Sequence, residues 1–225
     1  MKTIAIVAEK GGVGKTTLAT HLAVHAQAEG RRTIIIDLDP QASARKWGVR
    51  RNAEPEVVSD HAEMLQELLR TAEEGGADLV IIDTAPSANK SPLFASKAAD
   101  LILLPCRFGA FDIEAIMGTY EITQVSKRPT FVVFNAVLPR SDIALREAEH
   151  GLISLGIATA PVTIHQRVAF RDAVNDGRTA LEIEPDGKAA NEIRQLFQWA
   201  GEQVGLITTK PALKKARQRV GAKAA

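Results

Sequence analysis

Nine residues fix the first decision about this chain. Glu9-Lys10-Gly11-Gly12-Val13-Gly14-Lys15-Thr16-Thr17 follow a short apolar run, Thr3–Ala8, and lead into a segment of helical periodicity, Thr17–Glu29, closed by Gly30. A strand, a glycine-rich turn ending in Lys-Thr, and a helix, in that order, make a loop built to wrap phosphate. Its glycines let backbone N–H groups converge on phosphate oxygens with no Cβ in the way, and the helix N-terminus adds the positive end of its dipole. Gly11, Gly12, Val13, Gly14 and Thr17 line that cradle. Lys15 is placed to reach β- and γ-phosphates, and the Thr16 hydroxyl to ligate Mg²⁺.

The loop departs from the general pattern G-x-x-x-x-G-K-[ST] at its first position, where Glu9 stands for Gly, and it carries a second lysine, Lys10, just before Gly11. A cation there lies beside the phosphates of its own nucleotide, or it reaches across to a nucleotide held by another subunit. Two further blocks end apolar runs in carboxylates: Ile34-Ile35-Ile36-Asp37-Leu38-Asp39-Pro40-Gln41 and Leu79-Val80-Ile81-Ile82-Asp83-Thr84-Ala85-Pro86. Strand-end carboxylates face the crevice where open α/β sheets bind ligands. Aspartate is also a common helix N-cap, so Asp37 and Asp39 carry a structural reading as well. Asp83 is placed to hold Mg²⁺, through water.

Between these blocks the sequence alternates strand and helix. Strands are expected at Thr3–Ala8, Thr33–Asp37, Leu79–Asp83, Leu101–Pro105, Thr130–Asn135 and, less distinctly, Ala160–Ile164; further helices at Asp60–Glu74, Phe111–Ser126 and Asp142–Leu155. The strands are almost continuously apolar, the mark of parallel strands covered on both faces. The expected fold is α/β, a doubly wound, mainly parallel sheet with helices on both sides. The 225 residues suit one domain, 1–207, with 208–225 as a basic and flexible extension.

KGGVGKTT, DLDPQ and IIDTAP in this order resemble the ParA/MinD group of deviant Walker A ATPases, over residues 2 to about 205. The closest likeness is to the short ParA-type proteins that partition plasmids and chromosomes. The resemblance implies ATP and Mg²⁺ as cofactors, Lys15 as the loop lysine, Asp39 as the residue positioning the attacking water, and Asp37 supporting the Mg²⁺ shell. It implies a homodimer formed with ATP in which Lys10 of each subunit contacts the other's nucleotide. Asn135 matches the strand-end Asn that faces adenine, and backbone after Pro161 would line the base. It further implies non-specific DNA binding, with Arg167, Arg171, Arg194 and the tail residues Lys210, Lys214, Lys215, Arg217 and Arg219 as candidate phosphate contacts. A ParB-like or small centromere-binding partner would stimulate a hydrolysis that is otherwise slow, since the loop motifs hold no arginine finger. The loop begins about eight residues from Met1, so the expected likeness is to the short class, without an operator-reading extension.

Other branches of the group fit less well. Cys106 is the single cysteine and cannot supply a shared iron–sulfur cluster. A tyrosine autokinase of the group would carry a tyrosine-rich tail, and Tyr120 is the single tyrosine of these 225 residues. The basic tail has almost nothing to insert into a bilayer, so no membrane attachment is expected. With no signal peptide either, the expected location is cytoplasmic, on the nucleoid. His21 and His25 are spaced as metal ligands but lack an evident third. Trp47 reads as a packing residue, and the Arg45, Lys46, Arg50 and Arg51 cluster as a solvated face. Two alternatives remain open: positioning of a protein cargo, and a metabolic synthetase of dethiobiotin type. The net charge of +1 hides an asymmetry: residues 1–207 hold 22 Lys and Arg against 27 Asp and Glu, whereas the last 18 hold six basic residues and no acid.

Overall fold

Six parallel strands form one sheet in the computed structural model, which describes residues 1–86, 90–107 and 109–208. The strands are β1 (Lys2–Ile6), β2 (Thr33–Asp37), β3 (Glu56–Ser59), β4 (Leu79–Asp83), β5 (Leu101–Cys106) and β6 (Thr130–Phe134), in spatial order β3-β2-β4-β1-β5-β6. Helices α1 (Lys15–Ala28), α2 (Ser43–Arg51), α3 (Leu65–Glu74), α4 (Ser91–Ala98) and α5 (Ala110–Gln124) fill the connections up to β6. After β6 come α6 (Asp142–Ser154), α7 (Val168–Asn175), α8 (Ala180–Ile183) and α9 (Lys188–Gln203).

Both faces of each inner strand are buried, which accounts for their unbroken apolar runs. Ile4 and Ile6 of β1 join a core with α1, α2, α7, α8 and α9, while Ala5 and the following Val7 join a second core beneath α3 to α6. The register brings three strand ends level. Asp37 is the partner of Asp83 across β2 and β4, and Ile6 is the partner of Asp83 across β1 and β4. The switch in strand order beside β1 thus places the loop that follows it over the carboxylates ending β2 and β4.

Two expectations are corrected. Ala160–Ile164 is not a strand, although it runs along β6: Ala160 N–H donates to Val132 O, and Ile164 N–H to Phe134 O. A continued parallel ladder would have Val162 donate to Phe134 O; Ile164 makes that bond instead, so the pairing skips two residues and stays a single bridge. The sixth strand is instead Glu56–Ser59, a four-residue edge with one fully buried side chain, Val57, too short and too polar to stand out in the sequence. The Asp60–Glu74 helix is divided into a single 3₁₀ turn, Ala62–Met64, and α3. Cys106 is buried at the end of β5, where burial pushes its thiol up to about 12. The tail residues Lys210, Lys214, Lys215, Arg217 and Arg219 lie outside the described residues.

Candidate functional site

The phosphate loop spans Ile6 to α1, and its inner half is buried. Gly14 has φ +95° immediately before Lys15 opens the helix, a conformation that side chains other than glycine rarely adopt. A Cβ there would also sit 2.2 Å from Asn135 Nδ2. Asn135 donates that amide N–H to Val13 O at 2.6 Å, so in this structure it buttresses the loop from beneath. Thr16 Oγ1 donates to Asp83 Oδ2 at 2.6 Å. Asp83 is fully buried, and its Oδ1 is the one buried side-chain polar atom without a partner among the described residues. Burial raises the Asp83 carboxyl to about 7, against the hydrogen bond from Thr16 and the charge of Lys15.

Lys15 is buried, with Nζ 3.3 Å from Lys10 O, and desolvation lowers its pKa against the pull of Asp83 and Asp39. Asp37 is fully buried and accepts N–H bonds from Asp39 and Arg45, each at 3.0 Å. It therefore fixes the start of α2, the capping role, while standing in register with Asp83. Burial holds its carboxyl above the usual range. Asp39 is half-buried and accepts the Gln41 N–H at 2.8 Å. A cavity of about 460 Å³ opens over these groups, with Gly12, Lys15, Thr16 and Asp39 on one side and Lys46 and Arg50 of α2 on the other.

The outer half of the loop is held from β5 and α5. Lys10 Nζ pairs with Asp112 in the first turn of α5 at 2.5 Å, Arg107 Nη2 donates to Gly12 O at 2.8 Å, and Glu9 N–H donates to Thr119 Oγ1 at 3.4 Å. Gly118 of α5 leaves room for the Glu9 carboxylate: a Cβ there would meet Glu9 Oε2 at 3.3 Å. Arg107 and Asp112 escape sequence reasoning because they lie about a hundred residues from the loop and belong to no motif. Lys46 and Arg50 did carry a signal, their i, i+4 spacing on one face of α2.

The remaining candidates lie apart from this cavity. Pro161 is exposed and lines a separate cavity of about 340 Å³ with His165, Arg167 and Glu192. Arg167, at the start of α7, has Nε 3.2 Å from both carboxylate oxygens of the buried Glu192. Arg171 is exposed and pairs with Asp172, whereas Arg194 on α9 is half-buried in a cleft with His25 and Phe197. His21 is engaged on both ring nitrogens, by Thr17 O at 2.7 Å and by the Ala180 N–H at 2.9 Å. Trp47 is buried and donates Nε1–H to Arg178 O.

Residues 4–180 match the model of the CobQ/CobB/MinD/ParA nucleotide-binding domain. The chain belongs to this family. Among curated relatives, the maintenance of carboxysome distribution protein A of Gloeobacter kilaueensis is 32% identical over 207 residues, 90% of this chain and 94% of that protein. The chromosome-partitioning ATPase Soj of Thermus thermophilus is 26% identical, covering 88% and 94%. The apo McdA structure from Cyanothece superposes with TM-score 0.72 at 18% identity over 91% of this chain and all of the other. The Mg-ADP complex of the septum site-determining protein MinD from Pyrococcus horikoshii gives 0.71 at 16% identity, over 91% and 98%.

ParA/MinD ATPases use ATP with Mg²⁺, and the residues here fit that pair. Mg²⁺ prefers one or two protein oxygens alongside phosphates and retained waters. Thr16 Oγ1 and the partnerless Asp83 Oδ1 offer such a set, at the mouth of a loop whose amides are free of Cβ obstruction. Among the described residues no helix is long and apolar enough to cross a membrane.

Proposed function

We propose that this ParA/MinD family protein is a positioning ATPase of the ParA type: ATP joins two copies into a dimer, the dimer holds DNA without regard to sequence, and stimulated hydrolysis releases it. The observation that carries this reading is the split character of the loop. A buried lysine faces its own cavity, while a second lysine, 41% exposed, stands on the outside within reach of another molecule. A metabolic synthetase has no need of an outward cation on its phosphate loop.

In the proposed cycle Lys15 turns its ammonium from Lys10 O to the β- and γ-phosphates, exchanging one weak neutral acceptor for charged ones. Thr16 and Asp83 would hold Mg²⁺, which supplies charge neutralisation at the phosphate oxygens. Asp39, on the cavity wall, would orient the attacking water. Lys10 would cross to the partner subunit's nucleotide, so that the dimer depends on the γ-phosphate that both copies grip. A partner of ParB-like or small centromere-binding type would raise the slow basal rate.

The cargo has two readings. Plasmid or chromosomal DNA is the first; Soj carries the name of a chromosome-partitioning ATPase. A protein assembly is the second, favoured by relatives named for carboxysome distribution that match over 90% and 87% of this chain. Retention of non-specific DNA with ATP, with ADP and without nucleotide tests the common core. Retention is expected with ATP alone and lost in Lys15→Ala; equal retention in all three states would overturn the proposal. A chain ending at Leu206 should bind more weakly with a flatter salt dependence if the tail touches phosphates.

A further inference from the structure

The Lys10–Asp112 pair has a consequence for how dimerisation is controlled. Asp112 is the third residue of α5, and its own N–H is bonded to Gly109 O. Gly109 leaves room for the carboxylate to fold back, since a Cβ there would stand 2.9 Å from Asp112 Oδ2. The first turn of a helix favours an anion, so Asp112 is a well-supported carboxylate even where no cation is near. Around it, the side chain of Lys10 is the cation in hydrogen-bond contact, and Arg107 is turned to Gly12 O.

One ammonium cannot hold Asp112 and also reach a nucleotide on another molecule. We propose that Asp112 is the resting partner of Lys10, keeping that lysine on its own subunit until the partner subunit's ATP takes it. Asp112 is thus a positioning residue that sets how much protein and ATP are needed to form the dimer. The partner's γ-phosphate would take the ammonium because it offers several charged acceptor oxygens where Asp112 offers one carboxylate; with a diphosphate that acceptor is missing, and Lys10 stays with Asp112. This rests on the reading above in which Lys10 crosses between subunits.

The test is the dimerisation constant of the full chain, measured by sedimentation with a non-hydrolysable ATP analogue. Asp112→Asn is expected to dimerise at about three- to tenfold lower protein concentration, the scale of releasing two partly exposed ion pairs. Asp112→Glu should stay near wild type, and Asp112→Asn should not restore a dimer when Lys10 is already Ala. Asp112→Ser, suited to a first helical turn, serves if the Asn variant fails to fold. An unchanged or raised dimer dissociation constant in the folded Asn or Ser variant would overturn the proposal. If Lys10→Ala itself dimerises normally, the crossing reading fails and the latch with it. If Lys10→Ala abolishes the dimer while Asp112→Asn leaves it unchanged, only the latch fails.

Discussion

The two lysines of one loop, five residues apart, live in opposite surroundings. Lys15 begins α1, is buried among strand ends and has its charge weakened by desolvation. Lys10 is 41% exposed and tied to a helix from the other side of the sheet. The inner half of the loop is fastened from β4 and from Asn135 at the end of β6; the outer half from the end of β5 and from α5. The difference teaches that residue type alone did not assign the roles: position along a single turn separates a cation that serves its own cavity from one that faces outward.

Lys15→Ala should strike the inner half hardest. Loss of a charge-assisted contact to phosphate in a dry site is expected to weaken ATP binding by about a hundredfold or more, measured with a fluorescent ATP analogue. Next comes protonation of His21, which burial lowers to about 4. The unfolded chain takes up this proton as pH falls through 6.5 and the folded chain does not until about 4, so stability drains away across that window. The loss by pH 4 is roughly 3 kcal/mol, read as the difference in urea stability between wild type and His21→Leu at pH 7 and pH 4.

Gly14→Ala should cost about 2 kcal/mol or more, since strain at φ +95° is joined by collision with Asn135. Gly12→Ala, at φ +74° in open space, should cost about 1 kcal/mol in the same denaturation experiment. The smallest effect is on the outer half: Lys10→Ala should leave monomer ATP affinity within about threefold of wild type while the ATP-dependent dimer is lost. A large fall in monomer affinity would erase the distinction between the two lysines.

Much of the fold was legible because burial on both faces writes long apolar runs, and five of the six strands carry them. Glu56–Ser59 was not, since an edge strand with one buried side chain has no such run. Ala160–Ile164 misled in the reverse direction: its apolar residues face the core, yet its bonds to β6 skip from Ala160 to Ile164 and form no ladder. At the site, Lys15, Thr16, Asp37, Asp39 and Asp83 come together as their positions at loop and strand ends suggested. Pro161, Arg167, Arg171 and Arg194 do not join them.

By itself the sequence determined that a phosphate loop follows β1, that acidic residues end β2 and β4, and that positive charge gathers after residue 207. Those features are local, set by residue type and short spacing. Only the tertiary structure decided what each charged group spends itself on: Asp37 on the start of α2, Arg167 on Glu192, Arg107 on Gly12, and Lys10 on Asp112. Such pairings depend on strand order and helix placement over separations of about eight to a hundred residues, and a sequence pattern carries no record of which surfaces the packed sheet brings face to face.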